Sequence, residues 1–148
     1  MIRPMSEADI PEIAVIERAS FSRPWSEGNF KESLELSDAL FVVSEDDITG
    51  ELKGYLGMYF SPDEMGIMNV AVAPEHRGNG VGDELLTHAM KVACDREVLH
   101  IYLEVRVSNL TAQNLYKKHG LKELGIRKNL YEDPTEDGIV MGKDIEYA

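Results

Sequence analysis

The stretch Asn69–Leu86, NVAVAPEHRGNGVGDELL, holds the residues whose types and spacing point most directly to chemistry. A short apolar run ends at Val72, a proline follows, and Arg77 precedes glycines at 78, 80 and 82. Glycines between a strand and a helix let backbone N–H groups and the helix N-terminus close on a phosphate. Three loops of that kind compete. A Walker A loop ends in Gly-Lys-Ser/Thr, whereas Gly82 is followed by Asp83 and Glu84, which excludes it. The dinucleotide fingerprint G-x-G-x-x-G needs glycine at Asp83, and this loop lies mid-chain after a meander instead of in a first βαβ unit. The third pattern, R/Q-x-x-G-x-G/A, is met by Arg77, Gly80 and Gly82. It suits a pyrophosphate, with close backbone approach at the glycines and one charge-assisted contact from Arg77. The loop Arg77-Gly78-Asn79-Gly80-Val81-Gly82-Asp83 is therefore the candidate phosphate site.

Two further side chains bear on reactivity. In the run 101–107, Ile101, Leu103, Val105 and Val107 alternate with Tyr102, Glu104 and Arg106. A strand between two helices in a mixed sheet is expected to be covered on both faces, so a carboxylate there needs a reason. Glu104 either pairs with Arg106 or another cation, or serves as a proton acceptor. Tyr116 follows Leu115 and is rotated by roughly 100° from the core stripe, which directs its hydroxyl toward a cleft unless it is an ordinary half-buried tyrosine. Trp25 lies in a loop between helices and Tyr131 near a hairpin turn; each is a candidate for a substrate wall or for plain packing. His76, His88, His100 and His119 have no metal-ligand spacing and are read as surface or border residues, with no metal site. Cys94, the one cysteine, shares a helical stripe with Leu86 and Met90 and is read as a small core or border residue.

These residues need a frame. Ile2-Arg3-Pro4 reads as a short strand, and Ser6 with Asp9 resembles a capping box ahead of a helix carrying Ile10, Ile13, Ile16 and Glu17. Ser26 caps a second helix with Phe30, Leu34 and Leu36 on its apolar side. Runs 39–45, 53–60 and 65–73 read as an antiparallel meander with turns at DDITGE and SPDE. A long helix covers 80–97, a strand 98–107, and a helix capped by Ser108 runs from Asn109 to His119, where Gly120 ends it. Two strands close the chain. The order β-α-α-β-β-β-α-β-α-β-β gives an α/β (α+β) fold, helices packed on one mixed sheet.

The 148 residues fit one domain, 1–148, and the apolar share of 43% is ordinary for a soluble protein. Acidic residues interrupt any signal-like start, and no apolar run approaches the roughly 20 residues needed to span a bilayer. One cysteine suits a reducing cytoplasm. The net charge of −12 argues against nucleic acid and favours a basic protein partner.

At this point the chain resembles the GNAT family of N-acetyltransferases, over nearly its whole length. The resemblance is nearest to the RimI-type ribosomal-protein alanine acetyltransferases and related N-terminal acetyltransferases. It is carried by NVAVAPEHRGNGVGDELL, YLEVRVSN, NLYKKHGL, IRKNLYEDPTEDGIVM and FSRPW, in that family's order when FSRPW is placed first. It implies a mixed, mostly antiparallel sheet of about seven strands flanked by four helices. It implies acetyl-CoA as co-substrate and no metal. The pyrophosphate would lie on loop 77–83, the acetyl and pantetheine parts on the backbone of Val70, Ala71 and Val72, and Asn109 would contact the cofactor. By the same resemblance Glu104 is the general base, Tyr116 protonates the departing sulfur, and Trp25 and Tyr131 flank the incoming peptide.

The resulting expectation is direct acetyl transfer to a protein N-terminal α-amine, by a monomer or weak dimer. A free α-amine has a pKa of about 7.7–8.0 against about 10.4 for lysine, which suits a single glutamate base. One alternative on the same scaffold is acetylation of a small amine or an internal lysine. A non-catalytic acyl-CoA sensor is the other, opposed by the presence of both Glu104 and Tyr116. Leu130, where many RimI-type sequences carry a second tyrosine beside Tyr131, leaves acceptor selectivity open.

Overall fold

The computed structural model describes residues 1–147. Its elements are β1 (Ile2–Pro4), α1 (Ile10–Ser20), α2 (Glu27–Leu34), β2 (Ala39–Glu45), β3 (Leu52–Phe60), β4 (Glu64–Val72), α3 (Val81–Asp95), β5 (His100–Arg106), α4 (Leu110–Lys118), β6 (Lys122–Tyr131) and β7 (Glu136–Asp144). Single 3₁₀ turns sit at Glu7–Asp9 and Pro74–His76. The element order is the one the sequence predicts, and local chemistry explains the boundaries. Ser26 Oγ accepts from the Asn29 N–H at 3.1 Å while Asn29 Oδ1 accepts from the Ser26 N–H at 3.0 Å, a reciprocal cap. Gly120 takes φ +91°, the left-handed turn that stops α4.

The seven strands run in the order β1-β2-β3-β4-β5-β7-β6, and every neighbouring pair is antiparallel except β4–β5. Alternation along the central strands feeds two cores. Leu56, Met58, Leu103 and Met141 meet Leu85 and Leu86 of α3 and Tyr116 of α4 on one face. Phe41, Val43, Tyr55 and Ala71 meet Ile13 of α1 and Phe30 of α2 on the other.

The second core reaches only β2, β3 and the end of β4. This corrects one expectation: β5 is covered on one face, not two. Ile101, Leu103 and Val105 are buried, while Tyr102 and Glu104 stand on the open face beyond the reach of α1 and α2. Three smaller corrections follow. Asn109, not Ser108, caps α4, because Ser108 Oγ is drawn to Glu136 at 2.9 Å and leaves Asn109 Oδ1 to accept from the Ala112 N–H at 3.1 Å. Cys94 is exposed, since the buried stripe of α3 runs through Leu85, Leu86, Ala89 and Ala93. Leu36 falls outside α2 and is exposed.

A split in the sheet makes the cleft. Strands β4 and β5 pair only from Glu64↔His100 to Ile67↔Leu103. At that point the β3–β4 register slips: Gly57 faces Asn69 and Met58 faces Ile67, leaving Met68 unmatched. Such a bulge bends its strand. Met68 is 56% exposed, and past it Val70, Ala71 and Val72 keep their partners on β3 but have none on β5. A row of β4 backbone groups thus faces an open wedge.

Candidate active site

The wedge ends at the glycine turn. Gly78 and Gly80 both have φ +81°, a region that L side chains reach only with strain. Neither has an atom within 4 Å of where a Cβ would stand, so backbone conformation, not crowding, calls for glycine. Gly82 is different. It lies inside the first turn of α3, where a Cβ would come 3.0 Å from Leu115 Cδ2, so it permits close packing of α3 on α4. The expected freedom therefore belongs to Gly78 and Gly80. The Glu84 N–H is the first to find a helical acceptor, Gly80 O at 3.0 Å, which leaves the Val81, Gly82 and Asp83 N–H groups at a helix N-terminus with no intrahelical partner.

The side chains around the turn are mostly committed. Arg77 Nε donates to Val72 O at 3.1 Å and Nη2 to Ser20 Oγ at 3.3 Å, clamping the turn to β4 and α1 and leaving Nη1 without a partner among the described residues. The Asp83 carboxylate accepts from Lys118 Nζ at 2.9 Å and lies 2.9 Å from His119 Nε2, and these two partners hold its carboxyl below the usual range. Asp83 thus fastens α3 to α4, and only its N–H faces the turn. Asn109 spends its side-chain oxygen on the helix cap.

Glu104 stands on the β5 wall, its side chain 32% exposed. Oε2 accepts from Arg127 Nη1 at 2.7 Å; Oε1 has no partner among the described residues. The cation is therefore Arg127, and Arg106 is engaged elsewhere. Arg106 binds Glu136 Oε1 at 2.9 Å and the carbonyls of Glu132 and Pro134 at 2.7 and 3.0 Å, reaches Ser22 Oγ at 3.3 Å, and lies 4.6 Å from the centre of the Tyr131 ring. It binds the hairpin turn and the loop after α1 to one point on β5.

Tyr131 stands beside Glu104 on this wall, and Tyr116 lies buried behind it. Burial, then the charge of Glu104, pushes the Tyr131 hydroxyl up to about 12. Burial, with Tyr131 second, does the same for Tyr116. Tyr116 is 8% exposed and packs in the core with α3, so its rotation from the stripe has not carried the ring out. Its hydroxyl makes no hydrogen bond among the described residues.

Trp25 does not join them. Its ring packs on Phe30 and Phe41, at 5.3 and 6.1 Å between centroids, as a half-buried plug of the second core. The loop that carries it reaches the hairpin through Arg23, which pairs with Asp133 at 2.7 Å and Glu132 at 2.8 Å. The Trp25 backbone N–H, not its indole, donates to Glu17 Oε2 at 2.9 Å. Sequence reasoning places Glu17 on the helical stripe and misses this bond, because a buried carboxylate at an apolar phase looks like any other stripe position. It also misses a group at the Pro74–His76 turn, where Glu51, Glu75 and His76 bring ligand-type atoms within 4.8 Å of one another, with both carboxylates exposed.

A mixed sheet that parts between its two parallel strands beyond a bulge, with a left-handed glycine turn leading into a helix at the split, is the frame of an acetyltransferase. The chain belongs to the acetyltransferase (GNAT) family, whose profile it matches over residues 10–121. It is 32% identical to the ribosomal protein bS18-alanine N-acetyltransferase of Escherichia coli K12, over 97% of either chain. A Bacillus subtilis protein provisionally assigned the same activity is 41% identical, over 95% of this chain and 92% of that one. The crystal structure of the E. coli ribosomal-protein-S18-alanine N-acetyltransferase superposes with a TM-score of 0.91 at 31% identity, covering 100% of this chain and 95% of that one.

Proposed function

We propose that this protein transfers the acetyl group of acetyl-CoA to the free α-amine of a protein N-terminus, with a small first residue and a basic ribosomal protein as the natural acceptor. It works in the cytoplasm as one domain, a monomer or weak dimer, without a metal. The observation that carries the reading is Glu104 Oε1, a carboxylate oxygen with no partner among the described residues, on the wall of an open wedge whose opposite wall is the stretch of β4 that has no β5 partner. The bS18-alanine relatives supply the acceptor class, and the net charge of −12 draws a basic partner.

In this reading the Val70–Val72 backbone holds the pantetheine arm and the acetyl carbonyl. The N–H groups at 81–83 and the 78–80 turn take the pyrophosphate, with Arg77 Nη1 and the Asn109 amide as side-chain donors. The α-amine, with Tyr131 on one side and the 21–25 loop that carries Trp25 on the other, attacks the thioester carbon. Glu104 Oε1 takes the proton the nitrogen loses, directly or through water. As the C–S bond breaks, the sulfur takes a proton from the Tyr116 hydroxyl, and the phenolate regains one from solvent.

The test is a panel of peptides differing in their first two residues, read by mass spectrometry and by thiol release. Peptides beginning with alanine or serine are expected to be acetylated on the α-amine, and added salt should slow basic peptides more than neutral ones. Comparable rates on an N-terminally blocked lysine peptide, or on a polyamine, would overturn the assignment.

The turn gives a separate expectation. A Cβ at Gly80 has no atom within 4 Å, but valine cannot hold φ +81° without strain, so the turn must refold and swing the 81–83 N–H groups away. Gly80→Val should weaken acetyl-CoA binding about tenfold or more, measured by calorimetric titration, while the melting temperature moves only slightly. Native affinity in this variant would remove the turn from the cofactor site.

A further inference from the structure

Glu17 is 2% exposed, on the side of α1 that faces the second core of Ile13, Ile16, Phe30, Phe41 and Ala71. Burial raises its carboxyl, and the only groups that oppose this are the Trp25 N–H and the Tyr55 hydroxyl, with no cation among them. An unpaired carboxyl in such a place is costly for the fold alone, where an apolar side chain of similar size would serve better. Its hydrogen bonds show what it does instead. The Glu17 carbonyl accepts the Phe21 N–H at 3.0 Å, and its Oε2 accepts the Trp25 N–H at 2.9 Å. One residue of α1 therefore fastens both ends of the 21–25 loop. Its other oxygen, Oε1, accepts the Tyr55 hydroxyl, which is fully buried on β3. Tyr55 pairs through the sheet with Ala71 of β4, two residues past Asn69, the buried residue next to the bulge, whose Oδ1 has no partner among the described residues.

We propose that Glu17 is a positioning residue for acetyl transfer: through Trp25 it sets the loop that receives the acceptor, and through Tyr55, which pairs with Ala71, it ties that loop to the bulged strand that carries the thioester. This rests on the acceptor reading above. The polar chain Trp25–Glu17–Tyr55 runs through the second core, whereas Arg106 at Ser22 and Arg23 hold the same loop to β5 and the hairpin; the chain thus joins the two elements whose spacing decides whether amine and carbonyl meet. A misplacement of about 1 Å in such a pair is enough to cost a large factor in rate.

Trp25 is the only tryptophan, so its emission reports the loop whether or not the protein turns over. In Glu17→Ala the emission should shift to the red. The acceptor KM should rise about tenfold and kcat fall several-fold, with acetyl-CoA affinity within about twofold of native. Glu17→Gln should rescue most of this, since its amide oxygen can keep the Trp25 N–H while its amide nitrogen donates to Tyr55. Tyr55→Phe, which leaves the Trp25 bond and cuts the link to β4, should raise the acceptor KM with little change in emission. Native emission and native KM in Glu17→Ala would overturn the proposal, as would acetyl-CoA affinity falling in step with acceptor affinity. If Glu17→Ala does not fold, Glu17→Gln and Tyr55→Phe decide: native kinetics in Tyr55→Phe sinks the link to β4, and damage in Glu17→Gln equal to that of an unfastened loop sinks the positioning role. Should the native protein fail to acetylate any peptide, the acceptor reading falls by itself while the emission data still report Glu17's hold on the loop.

Discussion

Glu104→Gln is expected to lower kcat on an alanine-initiated peptide by about 10²–10³-fold at neutral pH, within the range that a positioned proton acceptor supplies. The substitution keeps the size and one oxygen of the side chain but cannot take a proton. Because Arg127 holds Oε2 at 2.7 Å, the variant also breaks an ion pair, and the two effects must be separated. Arg127→Met removes the pair and leaves the carboxylate, so it should cost far less than Glu104→Gln. The dependence on pH then tells which proton Glu104 takes. A free α-amine has a pKa of about 7.7–8.0, so bulk base does the deprotonation unaided above that range. If Glu104 strips the ammonium before attack, the deficit of Glu104→Gln shrinks steadily from pH 6.5 to pH 9. If Glu104 takes the proton after attack, the deficit persists. Near-native kcat at pH 7 would mean that positioning alone carries the rate.

The parts of this site legible in the sequence are those set by neighbours along the chain. The glycine turn, the alternation that puts Glu104 opposite Leu103 and Val105, the cap at Ser26 and the stop at Gly120 each depend on a handful of consecutive residues. What stayed hidden depends on register. Glu104 and Arg106 lie two apart on one strand and suggest an ion pair, yet Arg106 meets Glu136 across the β5–β7 ladder and Glu104 meets Arg127 from β6. The β6–β7 pairing that delivers Arg127 contains two register breaks, which no local pattern announces. The open face of β5 is hidden for a similar reason, since it follows from where α1 and α2 stop. Ser108 and Asn109 are equally good caps by type, and only the distant Glu136 decides between them. The Glu17–Tyr55 contact spans 38 positions and reads, in sequence, as two ordinary core residues.

Tyr116→Phe is the second large loss, about 10²-fold in kcat with acetyl-CoA affinity nearly unchanged, measured by steady-state rates and calorimetric titration. Only the hydroxyl is removed, and it makes no hydrogen bond among the described residues, so the fold should keep its shape. Burial, with Tyr131 beside it, pushes this hydroxyl up to about 12, against about 10 for a free tyrosine. The group therefore stays protonated through the working range, as a donor to a departing thiolate must. The folded state holds the proton more tightly than the unfolded chain, so the stability from this group is complete below about pH 10 and is lost as pH rises from about 10 to about 12. Native protein should thus show no falling limb in kcat from Tyr116 below about pH 10, and should lose stability steeply above it. In Tyr116→Phe that alkaline loss should be smaller, because one buried acid is gone, although Tyr131 at about 12 still contributes. A donor role and a buried raised phenol make the same demand on the hydroxyl, that it remain neutral. A variant with native kcat and native alkaline stability would show that the Tyr116 oxygen serves neither.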